Sequence, residues 1–191
     1  METILGLCIG IGLSAACGFR VFVPLLVMSL ASIMGWFEPM QGFEWLTMPS
    51  VCIALAIATV CEIAAYYIPW VDNALDTVAT PAAMVAGTLT TMAVSSGEMS
   101  QFASWAAAII VGGGTAGAVQ MSTVAVRGVS TATTGGVANP LVSTVEWVSA
   151  VLLSVLSLLV PVLVVIVGII LAIWAVRWFK RKKQQSISTP L

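Results

Sequence analysis

The sequence has no histidine, and charge of either sign is scarce: seven basic and eight acidic residues among 191. Without histidine there is neither an H-E-x-x-H zinc motif nor a Ser–His–Asp triad, and no G-x-S-x-G motif occurs. Asp72 and Asp76 lie on one short segment and do not oppose each other as an aspartyl dyad would. An enzyme is therefore not expected, and neither is a metal or cofactor. Cysteine is limited to Cys8, Cys17, Cys52 and Cys61, all inside apolar runs. A disulfide framework is out of place there, and a zinc site lacks its usual ligand set, so these read as small packing residues. The N-terminus has no basic stretch ahead of its first apolar run, so that run is expected to remain in the mature protein. With a net charge of −1, no nucleic-acid partner is expected.

The shortage of charge is also the main positive signal. Charged residues make up 8% of the chain and hydrophobic ones 60%, with a mean hydropathy of +1.08. A soluble domain carries about 25% charged residues. Several apolar runs approach or exceed the roughly 20 residues that a helix needs to cross a bilayer. The period-two alternation of a membrane β-barrel does not occur. The expected fold is all-α, a polytopic transmembrane bundle of about five crossings with broken or kinked helices.

In chain order the crossings are expected at 5–34, 50–68, 82–95, 101–126 and 151–178, with interfacial segments at 69–80 and 140–150. These form one transmembrane domain over residues 1–180, followed by a polar tail, 181–191. In the first, Gly6, Gly10, Ser14 and Gly18 recur at four-residue spacing, a strip that lets another backbone approach closely. Arg20 and Pro24 interrupt the same run, either as a kinked crossing or as a crossing plus a short re-entrant piece. In the second, Ala54, Ala58 and Glu62 share a face and point Glu62 into the bundle. In the fourth, Gly112, Gly113, Gly114 and Gly117 imply close packing, local unwinding or both. The polar stretch from Arg127 to Pro140 reads as an external loop or as unwound backbone lining a wet cavity. Leu141 to Lys180 reads as a tilted helix merging into the last crossing. Two crossings divided at Pro161 are the alternative, although no polar turn lies there.

Five of the seven basic residues, Arg177, Lys180, Arg181, Lys182 and Lys183, follow the last apolar run. The positive-inside rule then puts the C-terminus in the cytoplasm of a multi-pass inner-membrane protein. The other two, Arg20 and Arg127, have no basic neighbours. Acid groups at membrane depth are expensive and need partners, water or a task, and three of the eight fall in EIAAYYIPWVDNALDTVATP, from Glu62 to Pro81. The halves of the chain also correspond loosely. A glycine-rich helix ends near Arg20 in one and near Arg127 in the other, and a proline-led acidic segment follows, PWVDNALD or PLVSTVE. Internal repeats of this kind are common in transporters.

GFRVFVPLL, E-x6-P-W-V-D-x3-D-x4-P and TTGGVANPLVSTVE, taken together, resemble the DUF4126 family of bacterial integral membrane proteins. The motifs run from Gly18 to Glu146. The resemblance implies membrane residence and a shared fold, and brings no activity with it. The family pattern also implies a carboxylate directly after Glu146 and a histidine or lysine in the fourth helix. Here Trp147, Gln120 and Met121 stand in those places.

Two functions follow from these residues. In the first, the protein transports or conducts a small ion or anionic substrate along a polar pathway lined by Arg20, Glu62 and Arg127, with Asp72, Asp76 and Glu146 beside it. A guanidinium pair suits an anion, and Glu62 suits a proton or cation. In the second, the charges neutralise one another and lock a non-transporting scaffold, whose small-residue faces (Gly6, Gly10, Ser14, Gly18, Gly113 and Gly117) bind a partner or a second copy. Beyond the lipid bilayer, the partners allowed are a small ion or anion and a homo-oligomer.

Overall fold

The computed structural model describes residues 2–95 and 99–187, apart from the side chains of residues 69, 70, 72, 73, 175 and 178–187. Glu98, the side chains of Asp72, Lys180, Arg181, Lys182 and Lys183, and the tail beyond residue 187 lie outside the described residues. The chain folds into α1 (Glu2–Phe19), α2 (Phe22–Ile33), a 3₁₀ turn (Glu44–Thr47) and α3 (Pro49–Ala65). It continues as α4 (Pro69–Ala93), α5 (Gln101–Thr134), α6 (Asn139–Leu159) and α7 (Pro161–Ile187). No strand occurs among the described residues. By length and composition α1, α5 and α6 can each cross a membrane; Phe22–Ile33, Pro49–Ala65 and Pro161–Trp174 are shorter apolar helices.

Helix α1 is the axis of the bundle. Its Gly10 and Ser14 meet Thr91 and Gly87 of α4, its Gly18 meets Ala116 and Val119 of α5, and its Gly12 meets Ser157 of α6. Arg20, at its end, meets Ser143 of α6. Helices α4 and α6 thus run opposite to α1, and α5 runs along it. A Cβ on Gly18 would sit 2.6 Å from the Ala116 carbonyl oxygen, so this backbone approach requires glycine. Gly6, Gly10, Ser14 and Gly18 are all buried. Hydroxyls stitch the contact: Ser14 donates to the Gly87 carbonyl at 2.8 Å and Thr91 to the Gly10 carbonyl at 3.2 Å. The loop after α2 folds back on the bundle, where the Met40 N–H donates to the Ala93 carbonyl and Ser29 to the Leu46 carbonyl.

Several boundaries differ from the sequence reading, each for a local reason. The segment 5–34 is two helices, and the break falls at Arg20–Val21 rather than at Pro24. A proline ring clashes with the carbonyl four residues earlier, which here is Arg20, while Pro24 itself sits in the first turn of α2, where a missing N–H costs little. The interfacial segment 69–80 and the crossing 82–95 are one helix, α4, which passes through Pro81. The stretch from Arg127 to Pro140 is neither an external loop nor unwound backbone. Helix α5 continues to Thr134, and the turn is only four residues, in which Gly135 and Gly136 take φ values of +64° and +88°. The glycines of α5 do both things expected of them: Ala108–Gly113 forms a π-helical turn, and Gly112 packs on Gly87 and Thr91. Residues 140–150 belong to α6, and the chain does divide at Pro161. Val160 leaves helical geometry there (φ −139°, ψ 58°), a break made by proline with no polar turn.

Candidate functional site

The end of α1 is where the charged residues gather. Arg127 of α5 holds Glu146 of α6 bidentately, Nε to Oε1 at 3.1 Å and a terminal nitrogen to Oε2 at 2.5 Å. Its other terminal nitrogen donates to Asp76 of α4 at 2.5 Å. Arg20 meets the same Oε2 of Glu146 at 3.0 Å, and donates to the Ser143 hydroxyl at 2.7 Å, the Ser143 carbonyl at 3.4 Å and the Phe19 carbonyl at 3.1 Å. Both guanidinium carbons lie over the ring of Tyr66, 3.9 Å and 4.3 Å from its centroid. Arg20 and Arg127 are 1% and 2% exposed, so neither lines an open pathway.

Helix geometry sets the depth of this network. Asp76 is seven residues from the start of α4, Glu146 seven from the start of α6 and Arg127 seven from the end of α5. At 1.5 Å per residue each lies about 10 Å inside the end of its helix. The ion pairs fall both within and between the halves of the chain, since Arg127 and Glu146 belong to the same half. Arg20 of the first half reaches Glu146 of the second, and Arg127 of the second reaches Asp76 of the first.

Glu62 stands apart. Its carboxylate accepts the Val21 N–H at 2.8 Å and the Phe22 N–H at 3.1 Å, and so caps the N-terminus of α2, which has no side-chain cap from its own sequence. It sits at the edge of the bundle, only partly exposed, where the charges of Arg20 and Arg127 still act on it. With Ala58, Cys61, Ala65 and Tyr66 it lines a cleft of about 460 Å³ between α3 and α4. Ala54, on the same stripe, is exposed. Among the described residues no arginine or lysine comes within ion-pair distance of Glu62. Among the described residues Arg20 and Arg127 form ion pairs with Glu146 and Asp76 and none with Glu62, although the charges of both arginines still act on it.

Sequence reasoning missed Tyr66 and Ser143 as members of the network. Both sit at helical spacing from acids singled out in the sequence, Tyr66 four residues after Glu62 and Ser143 three before Glu146, and that spacing was the available signal. Tyr67 lies beside Tyr66 in the turn between α3 and α4. Its hydroxyl lies 2.7 Å from that of Thr144 and accepts the Trp147 indole N–H at 3.3 Å, tying the α3–α4 turn to α6. Gln120, in the place where the family resemblance implies a basic residue, is buried with its amide nitrogen unpartnered. Of the residues expected to pack helices, Gly113 faces Thr88 and Gly117 faces Met84, both on α4. Among the described residues no group of acidic or cysteine side chains could hold a metal ion.

The profile of the family described as domain of unknown function (DUF4126) matches residues 7–181, and the chain belongs to that family. No curated protein and no solved structure matches it.

Proposed function

We propose that this DUF4126 chain is a membrane transporter or channel for a proton or small cation, with Glu62 as the carboxylate that carries the ion. One observation carries the reading: among the described residues Glu62 is a carboxylate at the edge of the helical bundle with no ion-pair partner, and it borders an open cleft. Two backbone N–H groups at a helix end and the more distant charges of Arg20 and Arg127 offset part of its negative charge, and none of them forms an ion pair with it. A bound proton or cation supplies the rest.

The rival anionic substrate fits less well. The guanidinium groups of Arg20 and Arg127 are already engaged by Glu146, Asp76 and Ser143, and Tyr66 covers them. In this reading they form the fixed end of the bundle against which a broken helix pair can move, as in transporters built on discontinuous helices. The C-terminus lies in the cytoplasm of an inner membrane, held there by the cluster from Arg177 to Lys183. No catalysis is assigned.

Proteoliposomes with an internal pH dye and a clamped membrane potential test the proposal. Wild-type protein moves protons or alkali cations above the rate of empty vesicles. Glu62→Gln, which keeps one acceptor for the α2 amides, folds but loses that flux. Equal flux from both proteins, or none above the empty vesicles, overturns the reading in favour of a charge-locked scaffold.

A further inference from the structure

The cleft beside Glu62 has a shape of its own. Helices α3 and α4 are joined by only three residues, yet they do not pack against each other along their length. The space between them, about 460 Å³, lies within the roughly 300–1,000 Å³ range of small-molecule sites. Its walls are apolar, with Val21 and Phe22 on one side and Leu75, Val78, Ala79 and Ala82 on the other. The rim is exposed: Phe22 is 36% and Val78 56% accessible, and Cys61 is exposed too. In a bilayer those rim residues face acyl chains, so an occupant comes sideways from the lipid. Among the described residues the only charged side chain in the lining is Glu62.

We infer that this cleft binds an alkylammonium amphiphile from the bilayer, with the cationic head on Glu62 and the chain along α4. Charge selects the head. A carboxylate facing an apolar wall repels an anion and gains nothing from a neutral alkane, whereas an ammonium both neutralises and hydrogen-bonds it. Hydrogen bonding narrows the choice further. Each Glu62 oxygen accepts one backbone N–H, from Val21 and from Phe22, so each keeps a lone pair for a donor. A primary ammonium supplies donors and a quaternary one does not. The Phe22 ring at the rim adds a face that attracts cations.

The inference rests on the reading of Glu62 as an ion site and adds the class of its ligand. The test uses protein in nanodiscs of neutral lipid, with Cys8 and Cys52 replaced by alanine so that Cys61 is the reactive thiol. Dodecylamine slows Cys61 alkylation and raises the unfolding temperature. Dodecanoate does neither, and dodecyltrimethylammonium acts more weakly than the amine. In Glu62→Gln the amine binds more weakly by roughly tenfold or more, the value of one charge-assisted hydrogen bond. Ala82→Trp, which fills the cleft without touching a charge, also removes the protection. The inference falls if dodecanoate protects equally, if the amine gives no protection, or if protection survives in Glu62→Gln. Amine binding without ion flux overturns transport and leaves the ligand class standing, and ion flux without amine protection does the reverse.

Discussion

Replacing Glu146 by glutamine keeps the side-chain shape and removes the charge that two buried arginines share. Three guanidinium contacts depend on it: Arg127 at 3.1 and 2.5 Å, and Arg20 at 3.0 Å. Arg127 keeps Asp76, but Arg20 keeps only neutral partners, the Ser143 hydroxyl and carbonyl, the Phe19 carbonyl and the Tyr66 ring. The loss therefore concentrates on Arg20, a charge buried without a carboxylate. Breaking a buried pair in this way costs about 3–5 kcal/mol. At about 2–4 °C per kcal/mol for a chain of this size, the midpoint falls by roughly 6–20 °C. Thermal unfolding in a mild detergent, or unfolding in graded SDS, measures it. The decisive comparison is Arg20→Met in the Glu146→Gln background, which removes the stranded charge and recovers part of the loss. A coupling of about 0.5–3 kcal/mol is expected between the two sites. A Glu146→Gln protein within about 1 kcal/mol of wild type, or substitutions additive to within about 0.5 kcal/mol, refutes the account of the network.

Three further outcomes follow. Asp76→Asn costs less than Glu146→Gln, about 1.5–3 kcal/mol, because Arg127 keeps its bidentate partner; the same unfolding assay ranks the two, and the opposite order contradicts the geometry. Gly112→Val drives a side chain into Thr91 and the Gly87 carbonyl and lowers stability by at least about 1–3 kcal/mol, whereas Gly114→Ala, which meets nothing within 4 Å, is neutral or stabilising by up to about 1 kcal/mol; similar midpoints for both remove the close-packing argument. In the loop before α3 both oxygens of Glu44 accept the Gly42 N–H at 2.9 Å, which holds its pKa below the ordinary 4.5. A depressed folded-state pKa means that this contribution is present above 4.5 and lost as pH falls below it; the Gly42 amide resonance reports the titration, and a midpoint at or above 4.5 counts against the contact.

Composition made the fold class legible, because so little charge over so many apolar residues leaves few alternatives to a helical membrane bundle. The network was partly legible as well. Arg20, Arg127, Asp76 and Glu146 stand out as isolated charges, and charges at depth need partners. Which partner goes with which was not legible, since Arg20 and Ser143 are 123 residues apart and only packing brings them together. Glu62 shows the limit most clearly. A four-residue stripe of small residues suggested an inward-facing acid, but that pattern gives a face and not the neighbour of that face. The neighbour is the start of α2, whose need for acceptors arises from a break that Pro24 imposes at Arg20. Prolines misled twice in opposite directions: Pro81 lies quietly inside α4, while Pro161 ends a helix without any polar residue to announce it.

The break between α1 and α2 also has a consequence for the order of assembly. Helix α2 has twelve residues, about 18 Å long against the roughly 30 Å of hydrocarbon, so it cannot enter the bilayer as an independent span. The amides of Val21 and Phe22 find their acceptor only in Glu62, some forty residues later in synthesis. A nascent chain that has emerged only as far as Val60 holds a frayed helix end with no oxygen to receive it. The first three helices therefore settle as one unit, once Glu62 has left the ribosome. Membrane-inserted fragments released from the ribosome and ending at Val60 are expected to show less protease protection of α2 than fragments ending at Tyr67, and equal protection would separate this cap from insertion.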